Sequence, residues 1–253
     1  DVTGVQTCAL PIFRVDNRMI VDVGADAHSI SDETQTCWNG LIGRLELSAT
    51  SPVWIADVQA FPNAVKKSAL LKVCLGNTTG RAGQGTLTAR GQSQTVTWGA
   101  EGGQAQIEVD LGADAKLWDE FDPALHEVTV ALKADGVQDV RTVTFGLRRV
   151  GTEGLYLTMN GKRFIARGTL ECAIFPLTGC PPTDVDSWRR IIRICKDYGL
   201  NHMRFHSWCP PEAAFIAADE LGFYLQPECG IWARAGTQLG RGDPADKWLY
   251  EET

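Results

Sequence analysis

Between Val53 and Arg148 the chain alternates apolar and polar residues in short runs. A period of two is the signature of strands that bury one face. The runs fall at 53–60, 68–76, 84–90, 94–98, 105–111, 127–133 and 140–148, with Gly- and Asn-rich turns between them. Gly76-Asn77-Thr78-Thr79-Gly80 reads as a turn, and Ala134-Asp135-Gly136 as a tight hairpin. Upstream, Phe13 to Leu47 is also β-like, with Val15, Met19-Ile20-Val21 and Val23 between Asp, Asn and Gly turns.

The period changes at Asn160. Arg163-Phe164-Ile165-Ala166-Arg167-Gly168 is a short, largely apolar run ending on Gly, which reads as a strand, and a Pro- and Gly-rich loop follows from Thr169 to Pro182. Thr183 sits where a helix N-cap belongs, with Asp186 three residues on. Val185, Trp188, Ile191, Ile192, Cys195 and Tyr198 then recur at three- and four-residue steps, one apolar face of a helix that Gly199 stops. His202 to His206 reads as a second strand. Pro210 and Pro211 open a second helix through Leu221, because a first turn tolerates the missing N–H of proline. Gly222 ends that helix, and Phe223 to Gln226 is a third strand. Strands alternating with helices at this spacing predict parallel βαβ units, in a barrel or an open sheet. Gly151 to Gly154 reads as the link from the strand-rich part, whose seven short strands are the count expected for an immunoglobulin-like β-sandwich.

Composition narrows the function. With 253 residues and 44% hydrophobic content, the chain holds one large domain or two smaller ones. A net charge of −7 gives no electrostatic case for nucleic acid or an anionic membrane as partner. No apolar run approaches the length of a bilayer span. Eight cysteines are present, seven of them outside the first twelve residues, and none forms a C-x-x-C pair, which argues against a zinc ribbon or a thioredoxin-like site. They read as mostly buried free thiols, with a Cys172–Cys180 loop disulfide as the alternative. His202 and His206, four apart on a strand, lie far from each other along it, which weakens a metal reading. The signatures of a serine-hydrolase elbow, a zinc protease helix, a phosphate-binding P-loop and a dinucleotide fingerprint are missing.

The ends stand apart. Residues 1–12 resemble a translated sequencing-library adaptor and are set aside as an artefact. The natural chain is then expected to begin near Phe13, inside a gene, and the run Trp248-Leu249-Tyr250-Glu251-Glu252 before Thr253 has no terminating logic. The expectation is a fragment cut at both ends, without its addressing segment.

Several motifs in order resemble glycoside hydrolase family 2, the β-galactosidase and β-glucuronidase family. Trp38-Asn39-Gly40-Leu41-Ile42-Gly43-Arg44-Leu45 is similar to that family's aromatic-x-Gly-Ile-x-Arg-x-Val strand. Leu117-Trp118, with Pro123 and Leu125-His126, is similar to its Leu-Trp…Pro-x-Leu-Tyr segment, and Phe145-Gly146-Leu147-Arg148 to its Phe-Gly-Phe-Arg. Asn160-Gly161-Lys162 with Arg167-Gly168, Asn201-His202-Met203-Arg204, and Asp219-Glu220-Leu221-Gly222-Phe223-Tyr224 follow the family pattern into the first barrel strands. The resemblance implies a multidomain β plus α/β chain. Residues 13–50 would be the end of a jelly-roll sugar-binding domain, 51–152 an immunoglobulin-like β-sandwich, and 153–253 the first third of a TIM (β/α)8 barrel with strands 1–3.

The resemblance also implies a retaining glycosidase that cleaves terminal β-linked sugars, acts on an oligo- or polysaccharide, and uses no organic cofactor. Its two catalytic Glu residues, acid/base and nucleophile, would follow barrel strands 4 and 7, beyond Thr253, so the fragment itself would be inactive. What this chain would supply are substrate-binding residues at the C-terminal ends of strands 1–3, the face that carries TIM-barrel active sites. These are Glu171 after strand 1, His206 and Trp208 after strand 2, and Glu228 after strand 3, with Trp232 as packing. Carboxylates accept hydrogen bonds from sugar hydroxyls, and an indole can stack on a pyranose. The chain departs from the family where Thr169-Leu170-Glu171-Cys172 replaces a His-rich loop, where Phe205-His206-Ser207-Trp208-Cys209-Pro210 replaces Ser-His-Tyr-Pro, and where Ile231-Trp232-Ala233-Arg234 lacks the metal-binding Glu-x-His. No metal site is assigned. A polysaccharide-degrading role favours a periplasmic or secreted location. The rival readings are a non-catalytic carbohydrate-binding protein on the same scaffold and a structural β-sandwich with an α/β appendage. Three strands of an eight-stranded barrel would leave an open parallel edge, so the isolated chain is expected to behave poorly in solution.

Overall fold

The structure, a computed structural model, describes residues 45–46 and 48–229. The adaptor-like segment, the β-like stretch from Phe13, the Trp38 motif apart from Leu45, and the Ile231–Arg234 stretch with Trp232 lie outside the described residues.

All seven expected strands are present: β1 Val53–Asn63, β2 Ser68–Asn77, β3 Gly83–Ala89, β4 Gln92–Trp98, β5 Gly103–Asp110, β6 Leu125–Ala134 and β7 Val137–Gly146. They form two antiparallel sheets, ordered β1-β2-β5 and β4-β3-β6-β7. Alternation places one face of each sheet in a shared core. On β6, Val128, Val130 and Leu132 are fully buried while Glu127, Thr129 and Lys133 are exposed; on β2, Leu71 and Val73 are buried. The β6–β7 hairpin closes through Asp135-Gly136, with Ala134 opposite Val137 and Gly136 at φ +66°, the left-handed conformation that glycine adopts without strain. A register shift between Ile55 and Asp57 marks a bulge in β1. Beside it, the Ile55 N–H donates to Asp139 Oδ2 at 2.7 Å and Arg141 donates to the Ala56 carbonyl at 2.5 Å, so side chains of β7 tie the edge of the other sheet.

The Gly151–Gly154 segment is not a plain link. Val150–Glu153 is a strand, β8, paired with β9 Tyr156–Met159, which pairs in turn with β10 Lys162–Arg163. This small antiparallel sheet leaves Val150, Tyr156 and Leu157 half exposed or more, so it has no clean inside–outside alternation to read.

Three parallel strands follow, β11 Gly168–Glu171, β12 His202–Phe205 and β13 Tyr224–Gln226, in that order, with α1 Val185–Asp197 and α2 Glu212–Leu221 between them. The first of these strands starts only at Gly168, the last residue of the expected strand Arg163–Gly168. Phe164 instead packs its ring against Tyr224, centroids 4.4 Å apart. Gly168 lies so close to β12 that a Cβ there would meet His202 Nδ1 at 2.5 Å. The N-cap of α1 is Asp184, one residue past Thr183; its Oδ1 accepts the Ser187 N–H at 2.8 Å. Trp188 and Ile192 on α1 are fully buried, whereas Tyr198, already past the last turn, is exposed. The proline pair precedes the first turn of α2, with Pro211 at the N-cap position. Trp188, Ile192, Met203, Phe205, Ala214 and Ala217 join the helices to one face of the sheet.

The thiols differ from expectation. Cys74, Cys172, Cys180 and Cys195 are half-buried, Cys209 and Cys229 are exposed, and all six are free, Cys172 and Cys180 included. Cys74 shows why: it stands between buried Val73 and Leu75 and so points to the other face of β2.

Candidate functional site

The C-terminal ends of β11, β12 and β13 converge on a rim of charged and aromatic residues. Glu171 is the last residue of β11. Its carboxylate turns back on its own loop, accepting the Ala173 N–H at 2.8 Å and the Ile174 N–H at 3.0 Å. Its carbonyl accepts the His206 N–H at 2.8 Å and Trp208 Nε1–H at 3.3 Å. Burial pushes the Glu171 carboxyl up from its ordinary value, against the pull of those loop N–H groups.

Residues of β12 alternate between two surroundings. Met203 and Phe205 are buried under the helices, while His202, Arg204 and His206 occupy the intervening, half-buried positions. Arg204 Nε donates to Glu228 Oε1 at 2.5 Å, and the Ser207 N–H donates to Glu228 Oε2 at 2.8 Å. The Glu228 N–H in turn reaches the Trp208 carbonyl at 3.2 Å. Burial opposes the charge on Glu228, but the Ser207 N–H and Arg204 outweigh it, with a smaller contribution from His206, and hold the carboxyl below its ordinary value. Ser207 is buried and sits at φ +59°, an uncommon backbone state for a residue with a side chain.

Trp208 is buried, its ring edge-to-face against Phe205 at 5.1 Å and Phe175 at 6.0 Å. The indole belongs to the core beneath the rim. The structure therefore brings Glu228 and His206 together on the rim, with Glu171 and Trp208 bonded to each other just below. Arg204 and Ser207 complete the group. Arg204 was within reach of sequence reasoning, since it shares the period-two face of His202 and His206; the Ser207 amide carries no side-chain signal. Among the described residues no group of three or more His, Cys, Asp or Glu is arranged to hold a metal, and no helix is long and apolar enough to cross a membrane.

Chemically, the rim offers an ionised carboxylate beside a guanidinium that remains 42% exposed. Acceptor and donor side by side match the hydroxyls of a sugar, each of which can donate and accept.

Comparison with known proteins gives the same direction. Residues 53–148 match the family model described as "Glycosyl hydrolases family 2". A β-galactosidase of Lactococcus lactis subsp. lactis is 25% identical over 151 residues, which is 58% of this chain and 15% of that protein's length. A solved glycosyl hydrolase family 2 member from Bacteroides cellulosilyticus superposes with a TM-score of 0.62 at 23% identity, over 71% of this chain and 27% of its own. A family 2 β-galacturonidase from Eisenbergiella tayi superposes with a TM-score of 0.62 at 19% identity, over 72% of this chain and 34% of its own. The matched region thus spans about a third or less of each of these proteins. Residues 53–148 thus carry the sequence signature of the glycosyl hydrolases of family 2, and the chain shares the fold of the solved family 2 members.

Proposed function

We propose that this chain is part of a glycoside hydrolase acting on β-linked sugars, and that the C-terminal ends of β11, β12 and β13 form one side of its substrate cleft. The carrying observation is Glu228, held ionised by Arg204 and the Ser207 N–H at the end of the parallel sheet. In this reading residues 51–152 are an immunoglobulin-like sandwich and the parallel strands open a TIM barrel, whose C-terminal face is where such sites lie. Glu228 and His206 contact hydroxyls of an oligo- or polysaccharide, Glu171 shapes the loop after β11, and Trp208 supports the rim from below. The acid/base and nucleophile of a retaining double displacement, two carboxyls about 5 Å apart, come from later strands of the same barrel.

The experiment is kinetic. In the whole protein that carries this chain, Glu228→Gln should lower kcat/KM for an aryl β-glycoside about tenfold to a hundredfold, with the fold intact by circular dichroism. Unchanged kcat/KM in Glu228→Gln and in His206→Ala together would remove the rim from the substrate site.

A further inference from the structure

We propose that Cys209 and Cys229 form a reversible disulfide that ties the loop after β12 to the loop after β13, giving the rim a redox-sensitive clasp. Both thiols are free and exposed. The residues just before each of them are already held together. The Ser207 N–H bonds the Glu228 carboxylate at 2.8 Å, and the Glu228 N–H bonds the Trp208 carbonyl at 3.2 Å. Cys209 and Cys229 are the next residues along these two joined segments. The main-chain hydrogen bond from Glu228 to Trp208 brings the two backbones to about 5 Å, the spacing of hydrogen-bonded neighbours in a sheet. That lies inside the Cα separation of about 4.4–6.8 Å that a disulfide spans.

The Cys209 thiol also senses its neighbour. Burial pushes the Cys209 thiol up, and the neighbouring Cys229 adds to the push, as two like charges would. Cys172 and Cys180, the other pair near this end of the sheet, have no comparable main-chain tie: the Thr178 hydroxyl bonds the Cys180 carbonyl at 2.7 Å, within its own loop.

The oxidant is a low-molecular-weight disulfide such as oxidised glutathione. The Cys209 thiolate attacks one glutathione sulfur, forming a mixed disulfide and releasing the other half as a thiolate. The Cys229 thiolate then attacks the Cys209 sulfur, forming the protein disulfide and releasing the second half. The protons lost by the two cysteines are taken up by the two released thiolates. Two protein thiols are oxidised and one glutathione disulfide is reduced. The clasp fixes the segment that carries Ser207, Trp208 and Glu228, and does so whether or not a sugar is bound.

The test is disulfide mapping of the full chain after equilibration in a glutathione buffer at mildly alkaline pH. No Lys or Arg lies between Phe205 and Ala233, so trypsin leaves both cysteines in one peptide that becomes two hydrogens lighter on oxidation. Cleavage after Glu212, Glu220 and Glu228 separates them and shows the link directly. The Cys209–Cys229 link should exceed any other pair by about tenfold, from their high effective concentration, and that preference should vanish in urea. Cys229→Ser should trap Cys209 as a single glutathione adduct. If both cysteines stay alkylatable, each carries glutathione without linking, or either pairs preferentially with Cys172 or Cys180, the clasp does not exist.

Discussion

Glu120 Oε2 accepts a hydrogen bond from Asn201 Nδ2 at 2.6 Å, joining the connection between β5 and β6 to the start of β12. Asn201 is 4% exposed and uses all of its side chain. Its Oδ1 accepts the Arg167 N–H at 2.8 Å, and Nδ2 also reaches the Ile165 carbonyl at 3.1 Å. Its backbone carbonyl takes the Tyr224 N–H at 2.9 Å, so one residue stitches the N-terminal ends of all three parallel strands. Nearby, Trp118 Nε1–H donates to the Asp219 carbonyl at 2.7 Å, so the sandwich grips α2 as well.

Removing that side chain should be costly. Asn201→Ala leaves the Arg167 N–H and a Glu120 oxygen without this partner in a part-buried setting. The expected loss is about 1–3 kcal/mol, read as a lower urea midpoint with unchanged slope. Asn201→Ala at wild-type stability would mean that the contact between the sandwich and the parallel strands carries no load.

Gly222 makes a second prediction at the same junction. It sits at φ +67°, and a Cβ there would meet the Glu120 carbonyl at 2.8 Å and the Asp119 carbonyl at 3.0 Å. Gly222→Ala should therefore destabilise by about 1–3 kcal/mol, more than Gly136→Ala, where no atom lies within 4 Å of the added carbon. Equal losses at the two sites would show that backbone strain alone, rather than the packing on Glu120, sets the cost.

The rim carboxyls should respond to pH in opposite senses. Glu228 is depressed in the folded protein, so the stability it contributes is present above its ordinary value of 4.5 and is lost as pH falls through the lower folded value. Glu171 is raised, so its contribution is present below 4.5 and is lost as pH rises through the higher folded value. Glu228→Gln should flatten the acid side of the stability curve, below about 4.5. Glu171→Gln should flatten the side above it. Thermal melts across this range separate the two; identical changes in both variants would contradict the opposite shifts.

Much of the fold was legible because burial alternated. Strands such as β2 and β6 bury every second residue against a shared core, and the pattern survives in the sequence. The ribbon of β8, β9 and β10 was not legible, because exposed Leu155, Tyr156 and Leu157 follow one another without a buried–exposed period. The first parallel strand was misplaced because Phe164 and Ile165 look like strand core, yet Phe164 packs on Tyr224 and Ile165 is exposed. In the candidate site, strand-end position pointed to Glu171, His206, Trp208 and Glu228. The sequence carried no sign that Trp208 lies inside the core or that Arg204 closes on Glu228 from 24 residues away.

The open sheet edges predict how the 253-residue chain behaves by itself. Among the described residues β11 and β13 each pair on one side only, and Leu170 on β11 is half exposed. The isolated chain should self-associate with rising concentration in analytical ultracentrifugation. A monomer with a single cooperative melt would show that its edges are adequately shielded.

The most direct measurement is hydrolysis of a panel of aryl glycosides by the whole protein that carries this chain. A family 2-like retaining glycosidase releases the aryl alcohol from at least one β-glycoside, with none from the matching α-anomer and with the product first formed in the β configuration. Turnover of no β-glycoside by the folded whole protein, or a first-formed product of inverted configuration, would contradict that assignment.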